Sequence, residues 1–306
     1  MAKVSTEAST ETLGLARILL YAKVYLLRGF GFLVSYLVKF NSNAKPSAVE
    51  DIPTTPPIRC AFYFPPSYDS GNPQQYPVYI NLHGGGFIAG YEDDDAEFCD
   101  FLAKEVGCIV VSPAYRLAPE YPFPTGLNDT YAVSQWIIQE YKTTKLAVGG
   151  TSAGGHLALG LSQLLIKSNK DVIKSVVSVY SPMNFSRTSV NTFKEKEPKI
   201  RNFYHESYLQ ATQGDEESLQ NPLLSVNYAS PDMYPESMVI LAARDDPNIE
   251  DIEIFIRTIK PRIGKVYEGV FHGWLHVAER IIGKEATQKK WDCYQTIADE
   301  MKVVFA

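Results

Sequence analysis

The stretch that most constrains the fold of this chain runs from residue 147 to residue 158, with the sequence AVGGTSAGGHLA. An apolar, strand-like segment passes through small residues into a helix-like segment, and Gly150 to Gly154 spell G-x-S-x-G. A serine on such a strand-to-helix turn is held in a strained backbone conformation that exposes its hydroxyl. Glycines on both sides remove the Cβ atoms that would collide where the strand and the helix cross. The pattern therefore predicts that Ser152 is an exposed nucleophile at the start of a helix.

Charge and composition argue against several other classes of protein. The 306 residues are 45% hydrophobic and 21% charged, as expected of a globular chain with a large core. Lysine and arginine number 29 against 35 acidic residues, and the net charge of −6, without a basic tract, excludes a nucleic-acid partner. The four cysteines lack C-x-x-C spacing, so we expect buried, reduced thiols. No cofactor or metal site is predicted, because the acidic clusters lack both His or Cys partners and a calcium-loop spacing.

Strand-like and helix-like segments alternate along most of the chain. Apolar central strands that alternate with helices indicate an α/β fold, with a mostly parallel sheet covered on both faces. Strands are predicted over 59–64, 76–82, 108–112, 145–149, 172–180, 238–243 and 265–270, and helices over 95–105, 129–141, 153–166 and 285–303.

Two segments depart from the alternation. Residues 1–50 form a separate unit in this interpretation, because 13–40 is apolar, aromatic and basic and carries no acid, and 41–57 has the composition of a linker. Residues 13–40 are either helices that cap the protein or basic interfacial helices on a membrane, and a transmembrane span is not expected. Residues 51–306 form the catalytic domain, and an inserted helical lid is predicted at about 183–232.

A second glycine motif, His83-Gly84-Gly85-Gly86, follows a predicted strand. Ligands bind at the carboxyl ends of the strands in such a sheet, and both glycine motifs lie there. Glycines at that point allow consecutive N–H groups to turn toward one anion. The N–H groups of Gly84, Gly85 and Ala153 are therefore predicted to form an oxyanion hole.

A serine nucleophile needs a base, and the chain has five histidines. His83 belongs to the glycine loop, His156 lies one helical turn beyond the serine and points into the packing, and His205 lies in the predicted lid. His272 remains the preferred base because it follows the last strand and precedes a glycine, and His276 is the alternative.

The imidazole also needs a carboxylate that fixes its tautomer. Asp245 and Asp246 both follow the strand 238–243, and Asp246 is preferred because Pro247 rigidifies the turn after it. The resulting chain order of Ser, Asp and His is the order expected on this type of sheet.

Taken in order, these motifs resemble the hormone-sensitive-lipase-like branch of the α/β-hydrolases, from about residue 59 to the carboxy terminus. They are HGGG at 83–86, YRLAPE at 115–120, GTSAGG at 150–155, DP at 246–247 and HG at 272–273. The resemblance implies a triad of Ser152, Asp246 and His272, an oxyanion hole of Gly84, Gly85 and Ala153, a scaffold role for 115–120, and a cap made of the amino-terminal segment and the insertion. The chain departs from the family where Asp245 precedes Asp246 and where Asn248 replaces the usual Leu.

The predicted function is a serine carboxylester hydrolase that acts on small to medium acyl esters of hydrophobic alcohols. An apolar pocket is expected from Phe30, Phe32, Tyr36 and Phe40. An acyltransferase, an amidase or a lactonase with the same triad stays open, as does a non-catalytic ligand-binding protein on the same fold. The expected partner is a small hydrophobic ester, with peripheral membrane contact through 13–40 and a homodimer left open. The expected location is the cytoplasm or the surface of an intracellular membrane.

Overall fold

An eight-stranded sheet forms the centre of the protein, in a computed structural model that describes residues 17–29, 44–186, 203–204, 206–209 and 215–306. The strands are β1 (Ala48–Ile52), β2 (Ile58–Tyr63), β3 (Val78–Leu82), β4 (Ile109–Pro113), β5 (Leu146–Thr151), β6 (Ile173–Val179), β7 (Ser237–Asp245) and β8 (Ile263–Phe271). Their order in the sheet is β1-β2-β4-β3-β5-β6-β7-β8. β2 pairs antiparallel with both β1 and β4, whereas β3 to β8 are all parallel.

Helices connect the parallel strands and cover both faces of the sheet. They are α1 (residues 17–29), α2 (Ala96–Val106), α3 (Thr125–Tyr141), α4 (Ala153–Ser168), the short α5 (Glu216–Leu219), α6 (Ile249–Ile259) and α7 (Glu279–Phe305). α3, α4 and α6 pack on one face, and α2 and α7 pack on the other.

The sheet separates two apolar cores because successive side chains of a strand point to opposite faces. On β3, Val78, Ile80 and Leu82 pack under α4, whereas Tyr79 points toward α2 and α7. All four are fully buried, as expected of a parallel strand with helices on both sides. The α/β fold predicted from the sequence is confirmed.

The structure corrects some of the predicted boundaries. Part of the segment 41–57, interpreted as a linker, is the edge strand β1. β1 exposes most of its side chains, so its sequence has no apolar run to mark it. α3 begins at Thr125, one turn before its predicted start, and α7 begins at Glu279, with a non-helical break at Gly283.

The predicted lid at 183–232 is described only in part, since residues 187–202, 205 and 210–214 lie outside the described residues. Its described portion contains α5, two 3-10 turns (Val226–Tyr228 and Pro231–Met233) and helical residues at 203–204 and 206–208. Of the amino-terminal segment 13–40, the structure describes α1 alone. Phe30, Phe32, Tyr36 and Phe40, from which an apolar pocket was predicted, lie outside the described residues, as does His205.

Candidate active site

Ser152 stands at the turn between β5 and α4, with backbone angles φ 52° and ψ −120°. A positive φ is uncommon for a residue with a side chain, and it aims the hydroxyl away from both elements. Gly154 makes the turn sterically possible, because a Cβ at that position would lie 1.8 Å from the carbonyl oxygen of Leu82 at the end of β3. The strained turn and its glycine requirement agree with the prediction from G-x-S-x-G.

Hydrogen bonds join the side chains of Ser152, His272 and Asp246 in series. The Ser152 hydroxyl Oγ lies 2.9 Å from Nε2 of His272, and Nδ1 of His272 lies 2.7 Å from Oδ2 of Asp246. The Asp246 side chain is fully buried, whereas that of His272 is about one third exposed. A hydroxyl bonded to an imidazole whose other nitrogen is held by a buried carboxylate can lose its proton to that imidazole.

The loops after β7 and β8 position this carboxylate and this imidazole. The backbone N–H of Asn248 donates to Oδ1 of Asp246 at 2.7 Å, so the carboxylate oxygen that does not bond His272 is also satisfied. Gly273 follows His272 with φ 84°, a left-handed conformation that suits glycine. The neighbouring Asp245 is exposed and makes no contact with His272 among the described hydrogen bonds.

The glycine loop lies directly against the serine turn. A Cβ on Gly84 would lie 3.2 Å from Oγ1 of Thr151 and 3.6 Å from Cβ of Ser152. Gly85 has φ 114°, and a Cβ there would lie 2.0 Å from the carbonyl oxygen of Ala89. Within the described part of the chain, no hydrogen bond is donated by the N–H groups of Gly84, Gly85 or Ala153. These three donors are therefore available to a ligand beside Ser152.

Two other histidines, His83 and His156, are buried and bond backbone carbonyls, as expected from their places in the glycine loop and in α4. His83 bonds through Nδ1 to the carbonyl of Gly84 at 2.7 Å and stacks on Tyr115 with ring centroids 4.3 Å apart. The Tyr115 hydroxyl donates to the His83 carbonyl at 2.8 Å, so this part of 115–120 braces the glycine loop. His156 bonds through Nδ1 to the carbonyl of Pro182 at 2.9 Å. Burial lowers the pKa of His156 to about 4, although the hydrogen bond to Pro182 opposes the shift.

A second set of polar residues beside the triad was not predicted. His276 lies 3.2 Å through Nε2 from Oγ1 of Thr151, and its Nδ1 lies 3.4 Å from Oδ1 of Asp95. Asp95 in turn accepts a hydrogen bond from Asn81 at 2.7 Å. The four residues come from separate segments that share no motif. The one signal in the sequence is Asn81, a polar residue in the otherwise apolar strand β3.

Candidate metal ligands do not cluster in the described ranges. They contain no group of three or more His, Cys, Asp or Glu residues that is placed to hold a metal ion. All four cysteines are free and buried, as expected from the sequence.

Comparisons with known proteins give relatives named as hydrolases. The esterase LipI of Mycobacterium tuberculosis is 36% identical over 112 residues, which are 35% of this chain and 34% of that protein. An ethyl acetate hydrolase of Pseudomonas putida is 33% identical over 132 residues, or 40% of each protein. The chain thus spans less than half the length of these curated relatives.

The fold has well-matched counterparts among solved structures. A hyperthermophilic esterase from the archaeon Pyrobaculum calidifontis superimposes with a TM-score of 0.78 at 25% identity, and the match covers 92% of both chains. The family described as alpha/beta hydrolase fold matches residues 79–276, which is more than half of this chain. These residues include both glycine motifs, the serine turn and both histidines after β8, and the chain therefore belongs to the α/β-hydrolase fold family.

Proposed function

We propose that this protein is a serine carboxylester hydrolase that works through an acyl-enzyme intermediate and needs no cofactor. The observation that carries the proposal is the hydrogen-bonded line from Asp246 through His272 to Ser152. It is supported by similarity to a family in which relatives and solved structures are named as esterases. The other reaction classes on this fold would use the same triad and differ in the acyl acceptor or in the acyl bond that is broken.

The proposed reaction has two halves. In the first, Ser152 Oγ bonds to the ester carbonyl carbon while His272 Nε2 takes its proton, and the carbonyl electron pair moves onto oxygen. The tetrahedral intermediate then breaks its bond to the alcohol, which leaves with the proton from His272. In the second half, water gives a proton to His272 and attacks the acyl carbon, and the acid departs as Ser152 regains its proton. Asp246 holds the imidazole in the tautomer that both halves require.

The oxyanion of each intermediate is proposed to bind the N–H groups of Gly84, Gly85 and Ala153. These groups lack acceptors among the described residues, and Gly84 lies in close contact with the serine turn. One donor of this kind contributes about 3 kcal/mol to transition-state stabilisation in other hydrolases.

Aromatic side chains next to the glycine loop support a hydrophobic substrate. The Tyr204 ring lies against Gly86, since a Cβ there would come within 2.4 Å of the ring. Phe87 stacks on Tyr208 with centroids 3.8 Å apart. An ester with a small to medium acyl group and a hydrophobic alcohol matches these surroundings. The residues of the proposed lid therefore contribute to substrate choice.

We also propose that the segment 13–40 contacts a membrane surface. In α1 the side chains of Ile18 and Leu26 are 65% and 76% exposed, and the described helix carries basic residues and no acid. Arg28 ties the end of the helix to the domain, through an ion pair with Glu120 at 2.8 Å and a hydrogen bond to the carbonyl of Ile88 at 2.6 Å. No described helix is long and apolar enough to cross a bilayer. The pattern fits a helix that lies in the interface.

A panel of p-nitrophenyl esters of increasing acyl length tests the proposed activity. The wild type should turn over the shorter esters, and Ser152→Ala should lose at least about three orders of magnitude in kcat, because the acyl-enzyme cannot form. Added alcohol or amine acceptors, an anilide and a lactone belong in the same assay. Transfer of the acyl group to an added acceptor would identify an acyltransferase. Faster turnover of the anilide or of the lactone than of the esters would identify an amidase or a lactonase. Retained turnover in Ser152→Ala would contradict the proposal.

A further inference from the structure

A chain of four polar side chains runs beside the triad and is not used by the proposed mechanism. Asn81 donates to Oδ2 of Asp95 at 2.7 Å, and Oδ1 of Asp95 lies 3.4 Å from Nδ1 of His276. Nε2 of His276 lies 3.2 Å from the hydroxyl of Thr151. Asn81, Asp95 and Thr151 are buried, with exposed fractions of 0%, 5% and 6%.

Three of the four members are near neighbours in sequence of one part of the proposed site. Thr151 directly precedes Ser152, Asn81 lies three residues before Gly84, and His276 lies four residues after His272. The chain therefore connects the serine turn, the strand that leads into the glycine loop, and the loop that carries the base.

The buried Asp95 carboxylate is the charged member of this chain and contacts two of the others. A buried carboxylate is tolerated only when donors satisfy it, and here Asn81 contributes one and the imidazole of His276 faces the other oxygen. The imidazole of His276, whose side chain is 39% exposed, thus bridges the Asp95 carboxylate and the Thr151 hydroxyl through its two nitrogens. A hydroxyl held in this way keeps its rotamer.

Thr151 faces the side of Gly84 that a side chain would occupy. A Cβ on Gly84 would lie 3.2 Å from Oγ1 and 3.3 Å from the carbonyl oxygen of Thr151, so the lack of a side chain at Gly84 lets the two segments approach this closely. Thr151 thus lies where the serine turn, which carries one proposed donor, meets the glycine loop, which carries the other two.

We infer that Asn81, Asp95 and His276 form a positioning network that holds Thr151 against Gly84 and so sets the distance between the glycine loop and Ser152. The inference rests on the proposed serine hydrolase function. These residues touch neither the ester nor the reacting atoms. They act through Gly84 and Ser152, and their effect is confined to the transition state, where the oxyanion forms.

The hydroxyl of Thr151 is tested by a matched pair of variants. Thr151→Val keeps the shape and removes the hydroxyl, whereas Thr151→Ser keeps the hydroxyl. We expect Thr151→Val to lower kcat about tenfold with KM changed by less than about twofold, because a small misplacement of oxyanion donors costs rate rather than ground-state binding. Thr151→Ser should recover kcat to within about threefold of the wild type.

The affinity for a trifluoromethyl ketone gives a second readout. Its adduct with Ser152 carries an oxyanion in the hole, so Thr151→Val should weaken its binding about tenfold, in parallel with the loss in kcat. A merely structural role would not produce this parallel. Equal losses in Thr151→Ser and Thr151→Val, or a loss in KM alone, would overturn the inference.

His276 offers a second matched pair. The amide of His276→Asn can approach Asp95 in place of Nδ1 but is too short to reach Thr151, whereas His276→Gln extends as far as Nε2. We expect His276→Asn to lose kcat as Thr151→Val does, and His276→Gln to recover part of it. Wild-type kcat in His276→Asn would overturn the inference.

Ester turnover by the wild type distinguishes a failure of this inference from a failure of the proposed function. Absence of turnover of every ester by the wild type contradicts the proposed function alone. In that case urea unfolding of Thr151→Val, His276→Asn and the double variant still tests whether Thr151 and His276 interact. If the contact is real, the double variant is destabilised by less than the sum of the single effects. Additive losses would contradict it.

Discussion

At the residue scale, Asp245 and Asp246 are neighbours in the chain with opposite environments. Asp246 is buried, bonds His272 and accepts the N–H of Asn248, whereas Asp245 is exposed. We predict that Asp246→Asn lowers kcat by about three to four orders of magnitude, because an amide in that place favours the wrong tautomer of the imidazole. Asp245→Asn should stay within about threefold of the wild type.

Ester turnover by the two variants, with circular dichroism as a control for folding, measures this difference. The variants differ from the wild type by the same chemical change, so a general effect of lost charge would appear in both. A larger loss in Asp245→Asn would reverse the assignment.

The buried His156 leads to a prediction about how the free energy of unfolding depends on pH. Burial lowers its pKa to about 4, whereas the ordinary value in an unfolded chain is about 6.5. Because the pKa is lower in the folded protein, the unfolded state binds the proton first as the pH falls. The contribution of the buried neutral ring to stability is therefore complete above about pH 6.5 and declines as the pH falls toward 4. Between pH 7 and pH 5 the loss should be about 2 kcal/mol.

Urea unfolding of the wild type and of His156→Gln at both pH values isolates this contribution. The variant has no titrating ring at that position, so its free energy of unfolding should fall by about 2 kcal/mol less than that of the wild type over this range. The ring resonances of His156 in the wild type should also remain those of the neutral form at pH 5. Equal pH dependence in the two proteins would contradict a neutral, buried His156.

Part of the candidate site could be predicted from single residues because local geometry dictates them. The glycines around Ser152 and the glycine after His272 are required by close backbone approach or by a positive φ, and such requirements leave a short motif. Asn81, Asp95, Thr151 and His276 meet only through the packing of four segments. No local requirement marks them, so the sequence alone could not bring them together.

At the scale of elements, α1 exposes large apolar side chains, among them those of Ile18 and Leu26. We predict that the wild type co-sediments with vesicles that contain anionic phospholipid, and that replacement of Ile18 and Leu26 with Ser weakens this binding at least about tenfold. Each of these side chains would otherwise bury apolar area in the interface, and a loss of about 1.4 kcal/mol already gives a factor of ten.

Val303→Ser is a suitable control for this helix, because Val303 is an exposed apolar residue, 55% exposed, on α7. It should bind vesicles as the wild type does, and all variants should keep their ester turnover in solution. Absence of wild-type binding, or equal binding by the double variant, would leave α1 with the cap role alone.

Buried strands were easier to predict than exposed elements, for a physical reason. β3 to β7 are covered on both faces, and their apolar runs appear in the sequence. β1 is an edge strand with three of its five residues exposed, so its pattern matches that of a linker. α6 has two acidic residues in its first turn, of which Glu250 is exposed and Asp251 is buried.

At the scale of the whole molecule, the parallel sheet assembles the candidate site from distant parts of the sequence. The glycine loop follows β3, the serine turn follows β5, the proposed acid Asp246 follows β7 and the proposed base His272 follows β8. Parallel strands end at the same edge, so residues separated by 120 positions, Ser152 and His272, come within hydrogen-bond distance. The fold could be predicted because strand order and motif order agree with a single architecture.

The central claim is that Ser152 is the nucleophile, and covalent labelling by a fluorophosphonate tests it most directly. Intact-mass spectrometry should show one adduct per chain, and peptide mapping should place it on Ser152. Ser152→Ala should remain unlabelled, and His272→Ala should be labelled at least about a hundredfold more slowly, because the base that activates the hydroxyl is gone. An adduct on another residue, or ester turnover by a wild type that resists labelling, would contradict the account.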